Sequence, residues 1–149
     1  MDLKRSVLLL FFGGQEWGFQ GPRDFVNEPL IPLTQLKAVF CLDARSGATG
    51  EKEVFLAGSS IRPSLNQISK KFLEPLGIKE AKNIDLSSHE LVRDRYPFRD
   101  KGIPSLDFFI GDPRRPRPSP HPQESIDYEK LANVTKLIYL TAYEFLTEP

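Results

Sequence analysis

The stretch from Arg5 to Phe25 constrains the fold more than any other part of the chain. It begins with a continuous apolar run, Val7 to Phe12, which predicts a strand buried on both faces. Two glycines end that strand, and a helix is predicted from about Pro22 to Glu28. Ligands of α/β folds bind beyond the carboxyl ends of the strands. The polar pair between these two elements, Gln15 and Glu16, therefore lies where a functional site would be expected.

The rest of the chain alternates apolar runs with segments of helical spacing. Predicted strands, each a short apolar run beside turn residues, are Lys37–Asp43, Glu53–Ala57 and Ser105–Ile110. Predicted helices are one from Pro63 to Gly77, a short irregular helix or turn over Asp94–Gly102, and a long amphipathic helix over Ile126–Glu148 capped by Ser125 or Asp127. Strands that alternate with helices predict an α/β fold, with a largely parallel sheet covered on both sides.

Composition narrows the functional classes. The 149 residues are enough for one domain with a real core. Lys+Arg and Asp+Glu each number 20, so the zero net charge favours neither nucleic acid nor an anionic membrane surface as a partner. No run approaches the ~20 apolar residues of a membrane span, and the first apolar run is short for a signal peptide, so the cytoplasm is the default compartment. Cys41, the single cysteine, lies in an apolar run and is predicted to be a buried, inert thiol.

Two carboxylates follow predicted strands directly, Glu16 and Asp43. If the strands are parallel neighbours, both carboxylates emerge at one edge of the sheet, and His121 could join them. Carboxylates and an imidazole are the ligands of hydrolytic zinc sites. The alternative is that Glu16 and Asp43 are solvated or cap helices, and that His121 is an exposed loop residue. Asp107, inside an apolar strand, is predicted to be an edge or capping residue.

A loop rich in proline and arginine, Gly111 to Pro122, separates the last predicted strand from the last helix. It contains one PxxP sequence, from Pro113 to Pro116, of the type that aromatic-lined grooves recognise. A lid bordering a cleft and a passive surface loop are the alternatives.

Four segments resemble the zinc aminopeptidase family, which includes bacterial leucyl aminopeptidases and is related to glutamate carboxypeptidases and glutaminyl cyclases. The run from Phe11 to Val26 is similar to the family pattern FxxxEExGLxGSxxFV. Three further segments are similar to the patterns NLDM, SDHxPFxxxGIP and DKINYEKL, in the same order. They are Val39–Asp43, Asp94–Phe98 with Gly102–Pro104, and Ser125–Leu131.

The resemblance implies part of a three-layer α/β/α domain with a mixed, mostly parallel sheet, namely the second half of a complete catalytic domain. It also implies a site for two zinc ions about 3.5–4 Å apart. Glu16 and Asp43 match ligands, and Gln15 stands at the position of the general base. His121 is the imidazole nearest to the late ligand position. Asp94 and Arg95 match a segment near the substrate, where the family often has histidine in place of Arg95.

An amide cannot accept a proton at neutral pH, so Gln15 would forfeit base catalysis worth ~10²–10⁴-fold. The family's HxD segment has no counterpart in residues 1–149. We therefore expect a single partial metallopeptidase-like domain over residues 1–149 that is degenerate and has little or no hydrolytic activity by itself. At most one zinc ion would bind weakly, and the substrate would be a peptide. The alternatives are a non-catalytic interaction module, using the Arg/Pro-rich loop or an open sheet edge that associates with another chain, and a fragment of a longer peptidase.

Overall fold

The computed structural model describes residues 3–44, 53–57, 60–80, 94–110 and 127–148. Within these ranges the chain has four strands and four α-helices, which alternate except that β2 follows β1 directly. The strands are β1 (Val39–Ala44), β2 (Glu53–Ala57), β3 (Lys79–Glu80) and β4 (Ser105–Ile110). The helices are α1 (Gln20–Asn27), α2 (Ser64–Lys70), α3 (Tyr96–Asp100) and α4 (Tyr128–Thr147), with single 3₁₀ turns at Gln15–Trp17 and Leu33–Gln35.

The strands form one mixed sheet in the order β1-β4-β2-β3. β1 runs parallel to β4, with Cys41 opposite Asp107 and Asp43 opposite Phe109. β2 lies on the other side of β4 and runs antiparallel to it, while β3 is parallel to β2. The expected mixed α/β sheet is confirmed, and β4 occupies a central place in it.

One face of the sheet carries the main apolar core. Leu106 and Phe108 of β4 are fully buried there, against Leu65 of α2 and Val134 and Leu137 of α4. Alternate residues of a strand point to opposite faces, so even-numbered positions of β4 build this core. The helical spacing of α4 presents one apolar stripe to them, as the sequence predicted.

The opposite face carries a smaller apolar cluster. Phe25 and Val26 of α1 pack there with Phe98 of α3 and Ile103, and Val39 at the start of β1 contacts the same cluster. Helices therefore cover both faces, and the three-layer α/β/α arrangement is confirmed. Beyond Val39 the same face becomes polar toward the carboxyl end of β1.

The predicted strand at Val7–Phe12 is wrong. That segment is not part of the sheet, and Phe11 is 94% exposed and Leu9 75% exposed. Only Leu10 and Phe12 turn inward, against the α1–α3 cluster. A strand buried on both faces needs a packing layer against each face, and within the described residues only the α1–α3 cluster packs against this segment, on the side of Leu10 and Phe12.

Both ends of the described chain meet at the end of α4. Arg5 donates hydrogen bonds from its guanidinium to the carbonyl oxygens of Phe145 and Glu148, at 2.6 and 2.9 Å. At the other end of α4 the Asp127 carboxylate accepts a hydrogen bond from the backbone N–H of Lys130 at 2.9 Å. Asp127 is therefore the N-cap, one of the two residues predicted for that role. α2 ends at Lys70, earlier than predicted, and hydrogen-bonded turns continue to Gly77.

The remaining predictions divide between confirmed elements and positions outside the described residues. The strands at Glu53–Ala57 and Ser105–Ile110 and the short helix after Asp94 are confirmed. The Arg/Pro-rich loop with its PxxP sequence lies outside the described residues. No helix in the described ranges is long and apolar enough to cross a membrane.

Candidate functional site

A tight backbone turn over residues 13–19, the elbow, joins the N-terminal segment (residues 3–12) to α1. Gly14 and Gly18 adopt left-handed conformations, with φ of 73° and 81°, around the 3₁₀ turn that contains Gln15. The carbonyl oxygen of Gly14 accepts hydrogen bonds from the backbone N–H groups of Trp17 and Gln20. L-residues adopt left-handed backbone at a cost, so the two glycines are what permit this turn. The turn fixes the backbone from which the Gln15 side chain projects.

A further glycine brings α1 against the elbow. A Cβ atom at Gly21 would lie 2.8 Å from the carbonyl oxygen of Gly13, closer than such atoms approach one another. The backbone N–H of Gly21 donates to that same oxygen at 3.1 Å. Phe19, between the turn and the helix, is left-handed with φ of 60°, which is unusual for a residue with a side chain. Close backbone contacts and hydrogen bonds thus hold the elbow, and they offset the cost of the left-handed Phe19.

The elbow places Gln15 next to the end of β1. Gln15 Nε2 donates a hydrogen bond to Asp43 Oδ2 at 3.2 Å, and both side chains are half-buried. Leu10 and Phe12 pack near the start of β1 and Gln15 reaches its end, so the N-terminal segment runs alongside β1 in the same direction. The predicted meeting of the Glu16 and Asp43 carboxylates stays a prediction, because the Glu16 side chain lies outside the described residues, and the polar group that contacts Asp43 in the structure is the Gln15 amide.

A buried ion pair lies on the same face, two ladder positions before Asp43. Arg95 Nε is 2.9 Å from Asp107 Oδ2, and only 7% and 2% of the two side chains are exposed. Arg95 also lies beside the Tyr96 ring, 5.7 Å from its centroid. Asp107 stands opposite Cys41 in the β1–β4 ladder. The face of the sheet that begins at apolar Val39 thus ends in two polar layers, one around Asp107 and the next at Asp43.

The thiol of Cys41 lies in the layer around Asp107. Burial raises its pKa well above the usual value, and the carboxylates of Asp107 and Asp94 raise the pKa further. A hydrogen bond to Asp107 also favours the protonated thiol, against a smaller opposing influence of Arg95. A thiol held in its protonated form is a poor nucleophile. The chemistry of Cys41 thus matches the inert role predicted from sequence, although the residue as a whole is partly exposed.

The predicted site residues are distributed unevenly. Gln15 and Asp43 are in contact, and Asp94 is half-buried beside Arg95, which pairs with Asp107. His121 and the side chain of Glu16 lie outside the described residues. The substrate-binding role of Asp94 and Arg95 stays a prediction, as do the metal-ligating roles of Glu16, Asp43 and His121.

The interpretation of Asp107 as an edge or capping residue is wrong. β4 lies between β1 and β2, so Asp107 is central in the sheet, and it is 2% exposed. Its ion pair with Arg95 is the functional-site feature that sequence reasoning missed. A carboxylate inside an otherwise apolar strand is costly to bury without a partner, and that alone signals a buried cation elsewhere in the chain.

The described residues do not fit a zinc ion. They contain no group of three or more His, Cys, Asp or Glu side chains that could hold a metal. Gln15 directs an N–H donor toward Asp43, whereas a ligand to the same metal would direct a lone pair inward. The Gln15–Asp43 pair can accept and donate hydrogen bonds to a polar ligand, but Gln15 cannot take up a proton.

Comparisons with known proteins agree with the resemblance seen in the sequence. The profile described as Peptidase family M28 matches residues 1–142. The fold is similar to that of BSAP, a zinc aminopeptidase from Bacillus subtilis, with 23% identity and a TM-score of 0.63 over 93% of this chain and 35% of that chain. A medium-resolution structure of BSAP matches with 24% identity and a TM-score of 0.62 over 91% and 34%. The chain therefore spans about a third of the solved structures it matches, and no curated protein sequence matches it.

Proposed function

Because the chain belongs to Peptidase family M28, we propose that it is an aminopeptidase-like domain that has lost most or all of its hydrolytic activity as an isolated chain. The observation that carries this proposal is the side chain at position 15. The resemblance puts a general base there, and the chain has an amide that donates a hydrogen bond to Asp43. Without a base, activation of water loses ~10²–10⁴-fold in rate.

The number of zinc ions that the chain can bind is limited by the number of its candidate ligands. The family and the zinc aminopeptidase among its structural neighbours suggest zinc. A two-zinc site needs a bridging carboxylate and several terminal ligands, and each zinc takes about four ligands. The candidates in this chain are Glu16, Asp43 and His121. We propose that they hold at most one zinc ion, weakly, and that any residual activity acts on peptide N-termini.

Zinc content and the turnover of aminoacyl-nitroanilides test this proposal on the purified chain. We expect background turnover and at most one equivalent of zinc. Both measurements are repeated on Gln15→Glu, which puts a carboxylate at the general-base position implied by the resemblance. Gln35→Glu makes the same chemical change at an exposed residue in the 3₁₀ turn Leu33–Gln35 and serves as the matched control. Appreciable turnover by the unmodified chain, or two bound zinc ions, would overturn the proposal.

A second candidate function is a non-catalytic interaction module that adds a strand from another chain. The segment Val7–Phe11 favours it, because its odd-numbered residues are 60–94% exposed and apolar. Residues 6–12 also take part in none of the backbone hydrogen bonds found among the described residues. An extended apolar segment of this type is a template for strand pairing.

Sedimentation velocity over a range of concentrations tests the strand-adding function with a second copy of the chain as the partner. We expect self-association that Leu9→Lys combined with Phe11→Lys removes. Lys substitution at an exposed residue elsewhere, Leu30, is the control and should leave association unchanged. A chain that stays monomeric at all concentrations would argue against pairing between copies.

A further inference from the structure

The contact between Gln15 and Asp43 joins two parts of the chain that are both fixed. Asp43 stands at the end of β1, where the ladder to β4 sets its position opposite Phe109. Gln15 stands in a turn whose backbone is set by Gly14 and Gly18, and its carbonyl oxygen accepts a hydrogen bond from the N–H of Phe19 at 3.3 Å. The amide and the carboxylate are therefore brought together by the fold and not by free side-chain movement.

The chemical identity of the donor matters at this position. A carboxylate needs a positively polarised partner when it is taken partly out of water. In a metal site that partner is the cation. Here the Gln15 amide nitrogen Nε2 lies 3.2 Å from Asp43 Oδ2 and donates a hydrogen bond to one of the lone pairs that a metal ion could use. A second carboxylate in place of the amide would instead set two like charges against each other unless a cation lay between them.

We infer that the Gln15 amide takes the place of a cation at Asp43 and holds this edge of the sheet in a stable form that needs no metal. The inference rests on the proposed function only in treating Asp43 as a position where the family would bind zinc. It goes beyond that function because it assigns Gln15 a role in the folded chain. A zinc ion that competes for Asp43 Oδ2 would have to displace the amide or share the carboxylate with it, so we expect zinc to bind weakly at Asp43.

Zinc alone is the probe, added to the purified full chain or removed with EDTA. The melting temperature of the unmodified chain should be the same in both conditions. Gln15→Ala removes the amide without adding a ligand and should lower the melting temperature in EDTA. Gln15→Glu should also melt lower in EDTA, should recover when zinc is added, and should bind zinc about 10–100-fold more tightly than the unmodified chain.

Two controls connect these effects with Asp43. Asp43→Asn in the Gln15→Glu background should abolish the gain in zinc affinity. Gln35→Glu should change neither the melting temperature nor the affinity, because Gln35 is exposed and outside the site. If Gln15→Glu is unfolded in EDTA, folding on addition of zinc supports the inference, and failure to fold in either condition overturns it.

Three further results would overturn the inference. They are a drop in the melting temperature of the unmodified chain in EDTA, a Gln15→Ala chain as stable as the unmodified one, and equal zinc affinities for the unmodified and Gln15→Glu chains. The proposed function fails differently. Peptide turnover by the unmodified chain would overturn that function alone, as long as its zinc affinity remains below that of Gln15→Glu.

Discussion

The two faces of the sheet are built on different principles. The face under α2 and α4 is dry and apolar, with Leu106, Phe108, Val134 and Leu137 at 0% exposure. The face under α1 and α3 starts with an apolar cluster around Phe98 and then becomes a stack of polar pairs. Beside that second face runs the exposed N-terminal segment.

The apolar face stabilises the fold, whereas the polar face carries the candidate site. Burial of apolar area is non-directional and tolerates many sequences, so the α2–α4 face can hold the fold together without reference to function. The polar face depends on specific partners, because each buried charge needs its counterpart within hydrogen-bonding distance. The site therefore lies on the face whose sequence is least exchangeable.

The polar face should fail most severely when one member of the buried ion pair is removed. Asp107→Ala deletes the carboxylate that pairs with Arg95 and should lower the unfolding free energy by about 3–5 kcal/mol. Replacing both members, as Arg95→Met with Asp107→Leu, should restore most of that loss, because no charge is then buried without its partner. Urea unfolding measures both variants. A loss below about 1 kcal/mol in the single variant would contradict the structural role of the pair.

The apolar face should lose stability through a cavity. Leu137→Ala empties a fully buried position between α4 and the sheet and should cost about 2–5 kcal/mol. Leu9→Ala makes the same change at a side chain that is 75% exposed and should stay within about 0.5 kcal/mol. Thermal and urea unfolding of the two variants compare the core with the N-terminal segment directly. Similar losses would mean that the N-terminal segment is buried in solution.

The elbow should lose stability when a side-chain atom is added at Gly21. The Cβ atom of Gly21→Ala would lie 2.8 Å from the backbone oxygen of Gly13, so α1 must shift at a cost of about 1–3 kcal/mol. Gly13→Ala is the control, since an added Cβ there meets nothing within 4 Å, and the melting temperature should be nearly unchanged. A neutral Gly21→Ala would show that the contact between α1 and the elbow can relax.

The smallest expected effect is confined to alkaline pH. Burial holds the pKa of Cys41 above its value in the unfolded chain, about 8.5. The unfolded thiol thus loses its proton first, so the stability that Cys41 contributes is complete below that pH and falls as the pH rises above it. Unfolding free energies between pH 7 and pH 10 should decline less steeply in Cys41→Ala than in the unmodified chain. Equal slopes would mean that the thiol is as solvated in the folded chain as in the unfolded one.

Local sequence patterns predicted much of this molecule. The types of most elements, the position of β4 and the N-cap Asp127 all follow from residue periodicity and turn chemistry within a few residues of each position. The glycines of the elbow were visible in the same way. So was the amide at position 15, because its identity needs no coordinates.

The wrong predictions concern contacts between distant residues. Val7–Phe12 has the composition of a central strand, but whether it is buried depends on what lies beside it. Asp107, inside an apolar strand, was predicted to be an edge or capping residue. Its partner is Arg95, twelve positions earlier in the chain and on a different element. No spacing rule connects two such positions.

The residues alone were enough to predict the type of most elements, the glycine-rich elbow and the amide at position 15, because each depends on backbone propensity or on the identity of one residue. The strand order, the burial of the Arg95–Asp107 pair and the approach of Gln15 to Asp43 became visible only in the folded structure. The two side-chain contacts bring residues of separate elements to 2.9 and 3.2 Å of each other. The free energy that stabilises these contacts depends on packing between separate elements, and no single stretch of sequence contains both partners.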